Sequence, residues 1–390
     1  MLVTAAGATT QKSRSGDEVG RDPALDGVRG IAIALVLLFH CFHPLPLSAP
    51  TRALSALCGS MFIGVDLFFV LSGFLITAIL IRTRDDHRYY RTFYARRALR
   101  IIPAYYAVLA VVLLLYPRFG ADRWWLLTYL QNWVMALSNR SLSWNGFNHL
   151  WSLAIEEQFY LIWPIAIRLT PVRFLAHLCA GAATFSCALK IALTVRGASW
   201  MAVYTPTVTH MEGLALGGWI AVHRYVAGHQ AVPRLVRVCG LAAACALVVV
   251  IFRDSSYKLF STPQTAAHAI LSSIAFAWLL YEAVISAART PLRRLLGLGG
   301  LRFLGRYSYE IYLVHWMIAN LAASRLKSRV FADFGQNQAI FAAGVVVTAA
   351  SIVVSMLLHH GVALPLLRLK RRFPYESPSP MIGERGRRAR

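Results

Sequence analysis

The sequence predicts an all-α, polytopic integral membrane protein with about ten transmembrane helices. Three observations carry this. Of its 390 residues, 57% are hydrophobic, and the mean hydropathy is +0.53. Soluble domains hold roughly 45–50% apolar residues. Ten apolar runs occur, near 27–46, 61–81, 101–117, 150–169, 174–194, 205–222, 238–252, 264–287, 304–323 and 338–360, and a helix needs about 20 residues to span a bilayer. Charge is also sorted between the loops. With ten spans and a cytoplasmic N-terminus, the inside segments hold 28 of the 40 Lys and Arg and the outside loops 10. The positive-inside rule favours that arrangement, which puts both termini in the cytoplasm.

The elements follow in order. Residues 1–22 are polar, mixed in charge and without periodicity, and are expected as a disordered cytoplasmic tail. The run after them has no small-residue cleavage site and contains His40, so it is read as an uncleaved span. Residues 23–367 are expected to form one membrane domain. The stretch 124–137 is too short to span and contains Gln131 and Asn132. It is expected as a re-entrant or interfacial helix on the outer side. Were it to cross, every later loop would flip, leaving 17 Lys and Arg inside and 21 outside. Residues 368–390 form a basic cytoplasmic tail.

The net charge of +23 would point to nucleic acid in a soluble protein. In a membrane protein it marks topology and contact with anionic lipid, so the bilayer is the expected partner and nucleic acid is not. None of the six cysteines forms a CxxC pair or alternates with His at zinc spacing, so no metal is expected.

Titratable side chains within spans are costly and mark functional sites by default. In "DGVRGIAIALVLLFH" ten residues separate Arg29 from His40, a step of eleven positions. On a helix that is about 16 Å and within roughly 20° of one face. Arg29 alone reads equally as a snorkelling anchor; the pair on one face is harder to dismiss. In "MFIGVDLFFVLSGFLITAIL" Asp66 lies at the depth of His40 and is expected to orient its imidazole. Gly64, Ser72 and Gly73 there permit close helix approach. "FYARRALRIIP" gathers Arg96, Arg97 and Arg100 at the cytoplasmic rim, where guanidinium forks suit phosphate. From this stretch alone, topological charge is the blander reading. In "NHLWSLAIEEQFYLIWP", His149, Ser152, Glu156, Tyr160 and Trp163 share a face. In "LGRYSYEIYLVHW", Ser308, Tyr312 and His315 do. Glu310, and His210 with Glu212 in "THMEGLALGGWIA", are intramembrane groups without an assigned task.

These stretches, in this order over about residues 24–320, resemble the membrane-bound acyltransferase-3 family, bacterial O-acyltransferases of surface glycans and macrolides. The resemblance implies a ten-span fold in the bacterial cytoplasmic (inner) membrane. It implies an acyl-CoA donor, often acetyl-CoA, entering from the cytoplasm. It implies that Arg29 and His40 are an essential pair and that Arg96, Arg97 and Arg100 meet the CoA phosphates. Two departures matter. Many members carry Arg-x-Asp in the sixth span, and here His210 stands at the Arg position. Many also carry a C-terminal esterase-like domain, and none is expected after the basic tail of this chain.

The expected activity is transfer of an acyl group, acetyl in the first place, from acyl-CoA to a hydroxyl of an envelope saccharide or glycolipid. A macrolide or other secondary metabolite is the alternative acceptor. His40 is expected as general base or as the group that carries the acyl, with Asp66 or Glu156 orienting it. Ser152, Tyr160, Tyr312 and His315 are expected to support the substrate. The rival of another class is a proton-coupled transporter or flippase using His40, Glu156 and His315 as a relay.

Overall fold

An apolar run in hydrocarbon must satisfy its own backbone, and a helix does so within one segment. The computed structural model describes residues 22–42, 57–115, 122–228, 231–253, 261–285, 290–325 and 336–375. The tail expected up to residue 21 and the basic tail from residue 376 lie outside the described residues. Among the described residues there is no strand. There are ten long helices: α1 Pro23–Phe42, α2 Gly64–Arg82, α3 Tyr89–Leu115, α4 Trp151–Leu169, α5 Leu175–Val195, α6 Met211–Tyr225, α7 Arg234–Arg253, α8 Thr262–Ile285, α9 Gly299–Arg325 and α10 Gln336–Leu358. Each falls on one of the ten apolar runs.

Seven of them (α1, α2, α3, α5, α7, α8 and α10) are long and apolar enough to cross a membrane by length and composition. The other three are shorter or more polar, and their polarity has a place. α4 carries Glu156 and Glu157, α6 carries Glu212, and α9 carries Glu310 and His315. Glu156 and Glu157 line an internal cavity, and the other three are buried. A helix that faces protein on its polar side need not be apolar all round. The outer surface is apolar instead: Leu114, Leu161, Ile162, Val195 and Val249 are each more than half exposed. The chain is thus an all-α polytopic membrane protein.

The most buried span is α2, packed by α1, α4, α6 and α8. Its contact with α6 is backbone to backbone. A Cβ on Gly73 would stand 1.8 Å from the Leu214 carbonyl oxygen, and one on Gly217 1.9 Å from that of Val70. Only glycine fits at either position, as expected for close helix approach at Gly73.

Contacts between helix ends fix the directions. Arg84, just past α2, donates to the carbonyls of Ile167 (2.7 Å), Arg168 (3.0 Å) and Thr170 (2.7 Å) at the end of α4. It thereby satisfies carbonyls that the helix leaves open. Arg293, ahead of α9, forks onto Asp22 at the start of α1 (2.7 and 2.8 Å). The ends of α2 and α4 therefore meet on one side. Between them the chain goes out along α3 and returns along α4, so residues 122–138 do not cross.

That segment differs from the single helix expected. It is two short helices, Asp122–Leu127 and Gln131–Ser138, broken at Tyr129, whose φ is 54°. It is also not lipid-facing on its amide side. Gln131 and Asn132 are fully buried, donating to Leu150 O (2.8 Å) and to Thr205 O (3.3 Å) and Thr207 Oγ1 (3.2 Å). Tyr105 and Tyr106 of α3 hold the first helix through the carbonyls of Leu126 and Leu127. Buried amides need such partners, and a purely interfacial helix would not supply them.

Candidate active site

The site lies where α1, α3, α4 and α9 converge on α2. A cavity of about 250 Å³ is lined at one end by Arg29, Arg96, Arg97 and Arg100, further in by Ser72, Glu156, Glu157 and Tyr160, and at the far end by Ser152 and Tyr312. Ser152 is in the first turn of α4, whereas Arg29 and the α3 arginines are near the starts of their helices. Since α4 runs opposite to α1 and α3, the cavity extends from the Arg-bearing side into the opposite half of the bundle.

Its cationic end is held by acids and rings. Arg29 pairs with Asp26 one turn earlier (2.6 Å). Arg97 lies over the rings of Phe93 and Tyr160, at 5.8 and 5.6 Å. Midway, the Tyr160 hydroxyl donates to Glu156 (3.0 Å) and also meets the Ser72 hydroxyl. Glu156 thus faces the cavity with Tyr160 as its partner, on the route between the arginines and Ser152, and does not orient His40.

At the far end the Tyr312 hydroxyl donates to the His149 carbonyl (2.9 Å) and meets Ser152 Oγ (2.6 Å). Beyond this wall stand three imidazoles. His315 Nε2 is 3.0 Å from His40 Nδ1. The His149 ring is 5.0 Å from that of His315 and 6.5 Å from that of His40. Trp316 and Phe39 flank His40, with ring centres at 4.5 and 4.7 Å.

The tautomers follow from the acceptors. His315 Nδ1 faces the carbonyls of Tyr312 (2.7 Å) and Ile311 (3.1 Å), which can only accept. Nδ1 therefore carries the proton, and in the neutral ring Nε2 is the acceptor. His40 Nδ1 must then donate to it, with the Val36 carbonyl as a second acceptor at 3.2 Å. The basic lone pair of His40 is consequently on Nε2.

Asp66 does not take the place expected for it. Its carboxylate accepts from Ser272 (2.5 Å), and Oδ1 stands 3.7 Å from His210 Nε2. The cause is azimuth and depth. Asp66 is two residues from Gly64, which meets Ala32 and Leu35 of α1, and two residues turn a helix by about 200°. Gly64 sits against Ala32 and Leu35, so Asp66 also lies inward of His40 by more than a helical turn, and differs from it in depth as well as in face. His315 occupies the orienting position instead. Glu212 pairs with Lys190 of α5 and accepts from Ser186 (2.6 Å), and Glu310 meets His359 Nδ1 (2.8 Å).

The comparisons with known proteins bear on this geometry. The acyltransferase domain family Acyl_transf_3 matches residues 22–360. The chain belongs to this family. Among its relatives is the peptidoglycan O-acetyltransferase OatA of Listeria monocytogenes, 30% identical over 331 residues, which are 78% of this chain and 50% of that protein. The putative peptidoglycan O-acetyltransferase YrhL of Bacillus subtilis is 30% identical over 336 residues, 77% of this chain and 49% of that protein. The O-acetyltransferase OatA of Staphylococcus aureus is 29% identical over 324 residues, 76% and 50% of the two chains. The chain therefore spans about half the length of these curated relatives. No solved structure matches it.

For this acyltransferase the site brings together Arg29, Arg96, Arg97, Arg100, Ser152, Glu156, Tyr160 and Tyr312 around one cavity, with His40 and His315 behind its far wall. Three residues at the site went unassigned in the sequence. His149 was visible only as a member of the α4 face, with nothing to join it to His315. It is buried, and among the described residues neither ring nitrogen has a hydrogen-bond partner. Lys370 and Tyr375 also line the cavity, from a stretch read as a tail.

Proposed function

We infer that the protein is a membrane O-acyltransferase that takes an acyl group, acetyl in the first place, from acyl-CoA and transfers it to a hydroxyl of a cell-envelope carbohydrate. The observation that carries this is the cavity that starts at four arginines and ends at the hydroxyls of Ser152 and Tyr312, next to an imidazole pair whose basic nitrogen is His40 Nε2. Guanidinium forks suit the phosphates of a nucleotide thioester. A narrow arm reaching inward from them would bring its thioester to the hydroxyl wall.

His40 Nε2 then takes the proton of the acceptor hydroxyl as its oxygen attacks the thioester carbonyl. The C–O bond forms, the C–S bond breaks, and the proton passes to the leaving thiolate. The Tyr312 and Ser152 hydroxyls line the end of the cavity where the carbonyl oxygen would gain charge. Transfer inside a closed bundle also limits hydrolysis of the thioester. The relatives' names, peptidoglycan O-acetyltransferase, support a glycan acceptor in the envelope of a bacterial cytoplasmic membrane. The donor would enter from the cytoplasm, the side favoured by the Lys and Arg count.

Purified protein in liposomes, given labelled acetyl-CoA and cell-wall glycan fragments, tests this directly. Label should move to the glycan with wild type and not with His40→Ala. Wild-type transfer by His40→Ala, or movement of a solute across the bilayer without consumption of acetyl-CoA, would overturn the reading.

A further inference from the structure

The chain beyond α10 turns back over the Arg-bearing end of α3. After Leu358 it passes through a π-helical turn His359–Ala363, a short helix Leu364–Leu367 and a 3-10 segment Arg368–Arg372. Arg96 latches this segment. Its Nη1 donates to the carbonyls of Lys370 (3.2 Å) and Phe373 (2.9 Å), and its guanidinium lies 4.5 Å from the centre of the Tyr375 ring. Lys370 and Tyr375 are half-buried and line the cavity, whereas Arg368, Arg371 and Arg372 are exposed. One cation of the segment faces inward and three face outward.

Topology and lipid contact account for the outward three. They do not account for Lys370, which lines the same cavity as Arg29, Arg96, Arg97 and Arg100. Only Glu156 and Glu157 among the cavity's lining residues are acids. Surplus charge of one sign in a partly desolvated cleft is kept where a ligand of opposite sign binds. Arg29 is paired with Asp26, and the cations gathered beside it at this end of the cavity suit a ligand with more than one negative charge. A lysine acts on phosphate as a point charge, and an aromatic ring beside a guanidinium is a stacking surface for a base.

We propose that residues Arg368–Tyr375 form a clamp over the nucleotide of the donor, a reading that rests on acyl-CoA being that donor. Lys370 meets phosphate, Tyr375 meets the adenine, and Arg96 holds the clamp closed through the backbone. The inward phosphate contacts then fall to Arg97 and Arg100. Of the three arginines in "FYARRALRIIP", Arg96 becomes a positioning residue.

The test uses the full chain in nanodiscs, titrated with CoA, which carries the whole nucleotide and no acyl group. Lys370→Ala and Tyr375→Ala should each weaken CoA binding about ten-fold, a loss of one charge contact or one stacked ring. Lys370→Arg and Tyr375→Phe should restore most of it. Arg371→Ala, which removes an outward charge one residue further along the same backbone, should stay within about two-fold. Tyr375→Ala should also lose preference for CoA over 4′-phosphopantetheine, which lacks the adenylate. Unchanged CoA affinity in Lys370→Ala and Tyr375→Ala would overturn the clamp, as would an equal loss in Arg371→Ala, which would mean diffuse surface charge. If the wild-type protein binds no CoA, the donor reading fails and the clamp with it.

Discussion

His40 and His315 form a donor–acceptor pair because the backbone leaves His315 no choice. Two carbonyls take its Nδ1 proton, its Nε2 accepts from His40 Nδ1, and the reactive lone pair is delivered to His40 Nε2. Removing His315 frees the His40 ring to rotate and to exchange tautomers. His315→Ala should therefore lower kcat about 100-fold with little change in KM for the donor. His315→Gln keeps an acceptor oxygen near the same place and should recover part of the loss, which a merely space-filling role would not. Steady-state kinetics with acetyl-CoA check both. The Arg29–His40 spacing was legible because it lies within one helix, where sequence distance converts to depth and angle. The partner of His40 was not. Counting from the helix ends put Asp66 at its depth, but the level and face at which α2 meets α1 are decided by packing at Gly64, against Ala32 and Leu35, and sequence spacing within α2 does not reveal which neighbour each face meets.

At the scale of elements, ten apolar runs sufficed to find ten helices, since in a bilayer composition and backbone demand act together. What stayed hidden was pairing between helices. Glu212 had no assigned partner in the sequence, and only the packing of α5 on α6 makes it a buried pair with Lys190. Breaking that pair leaves an uncompensated charge. Lys190→Met should destabilise the protein by about 3–5 kcal/mol. Lys190→Met combined with Glu212→Leu should recover most of this, measured as thermal unfolding in detergent. The break at Tyr129 was likewise hidden, because a left-handed residue is usually glycine or asparagine and here is tyrosine. The docked pair of short helices around it carries a pH-sensitive fastening. The Arg140 guanidinium, together with the Ser143 hydroxyl and amide, holds the buried Asp122 carboxyl down at about 2. A carboxyl lowered on folding stabilises above the ordinary carboxylate range and ceases to do so as pH falls from about 4 to about 2. Arg140 is half exposed, so the gain is modest. Asp122→Asn should cost about 1–2 kcal/mol at neutral pH and progressively less as the pH falls through about 2, checked by hydrogen exchange of residues 122–138 across that range.

In the whole molecule the decisive feature is that the cavity stops short of the three clustered imidazoles. Its far wall is the Tyr312 hydroxyl held between Ser152 Oγ and the His149 carbonyl, and the three histidines stand behind it. In the proposed reaction such a partition would separate a donor on the Arg-bearing side from an acceptor on the other, so that acyl transfer would not join the two aqueous phases. It also decides what may attack the thioester. With the wall in place the nucleophile has to arrive by way of His40. With the wall opened, water in the enlarged space competes for the same carbonyl. Tyr312→Ala should therefore raise the ratio of acetyl-CoA hydrolysis to glycan acetylation, while Tyr312→Phe, which keeps the ring but loses both hydrogen bonds, should fall between it and wild type. The ratio is the quantity to measure, because loss of a buried ring also costs about 3–5 kcal/mol of stability and lowers both rates through the folded fraction. Release of free CoA and acetate, set against label on the glycan in the same proteoliposomes, separates the two reactions. A ratio that stays at the wild-type value in Tyr312→Ala would mean that Tyr312 is not the barrier, and that water is kept out by the helices around His40 instead.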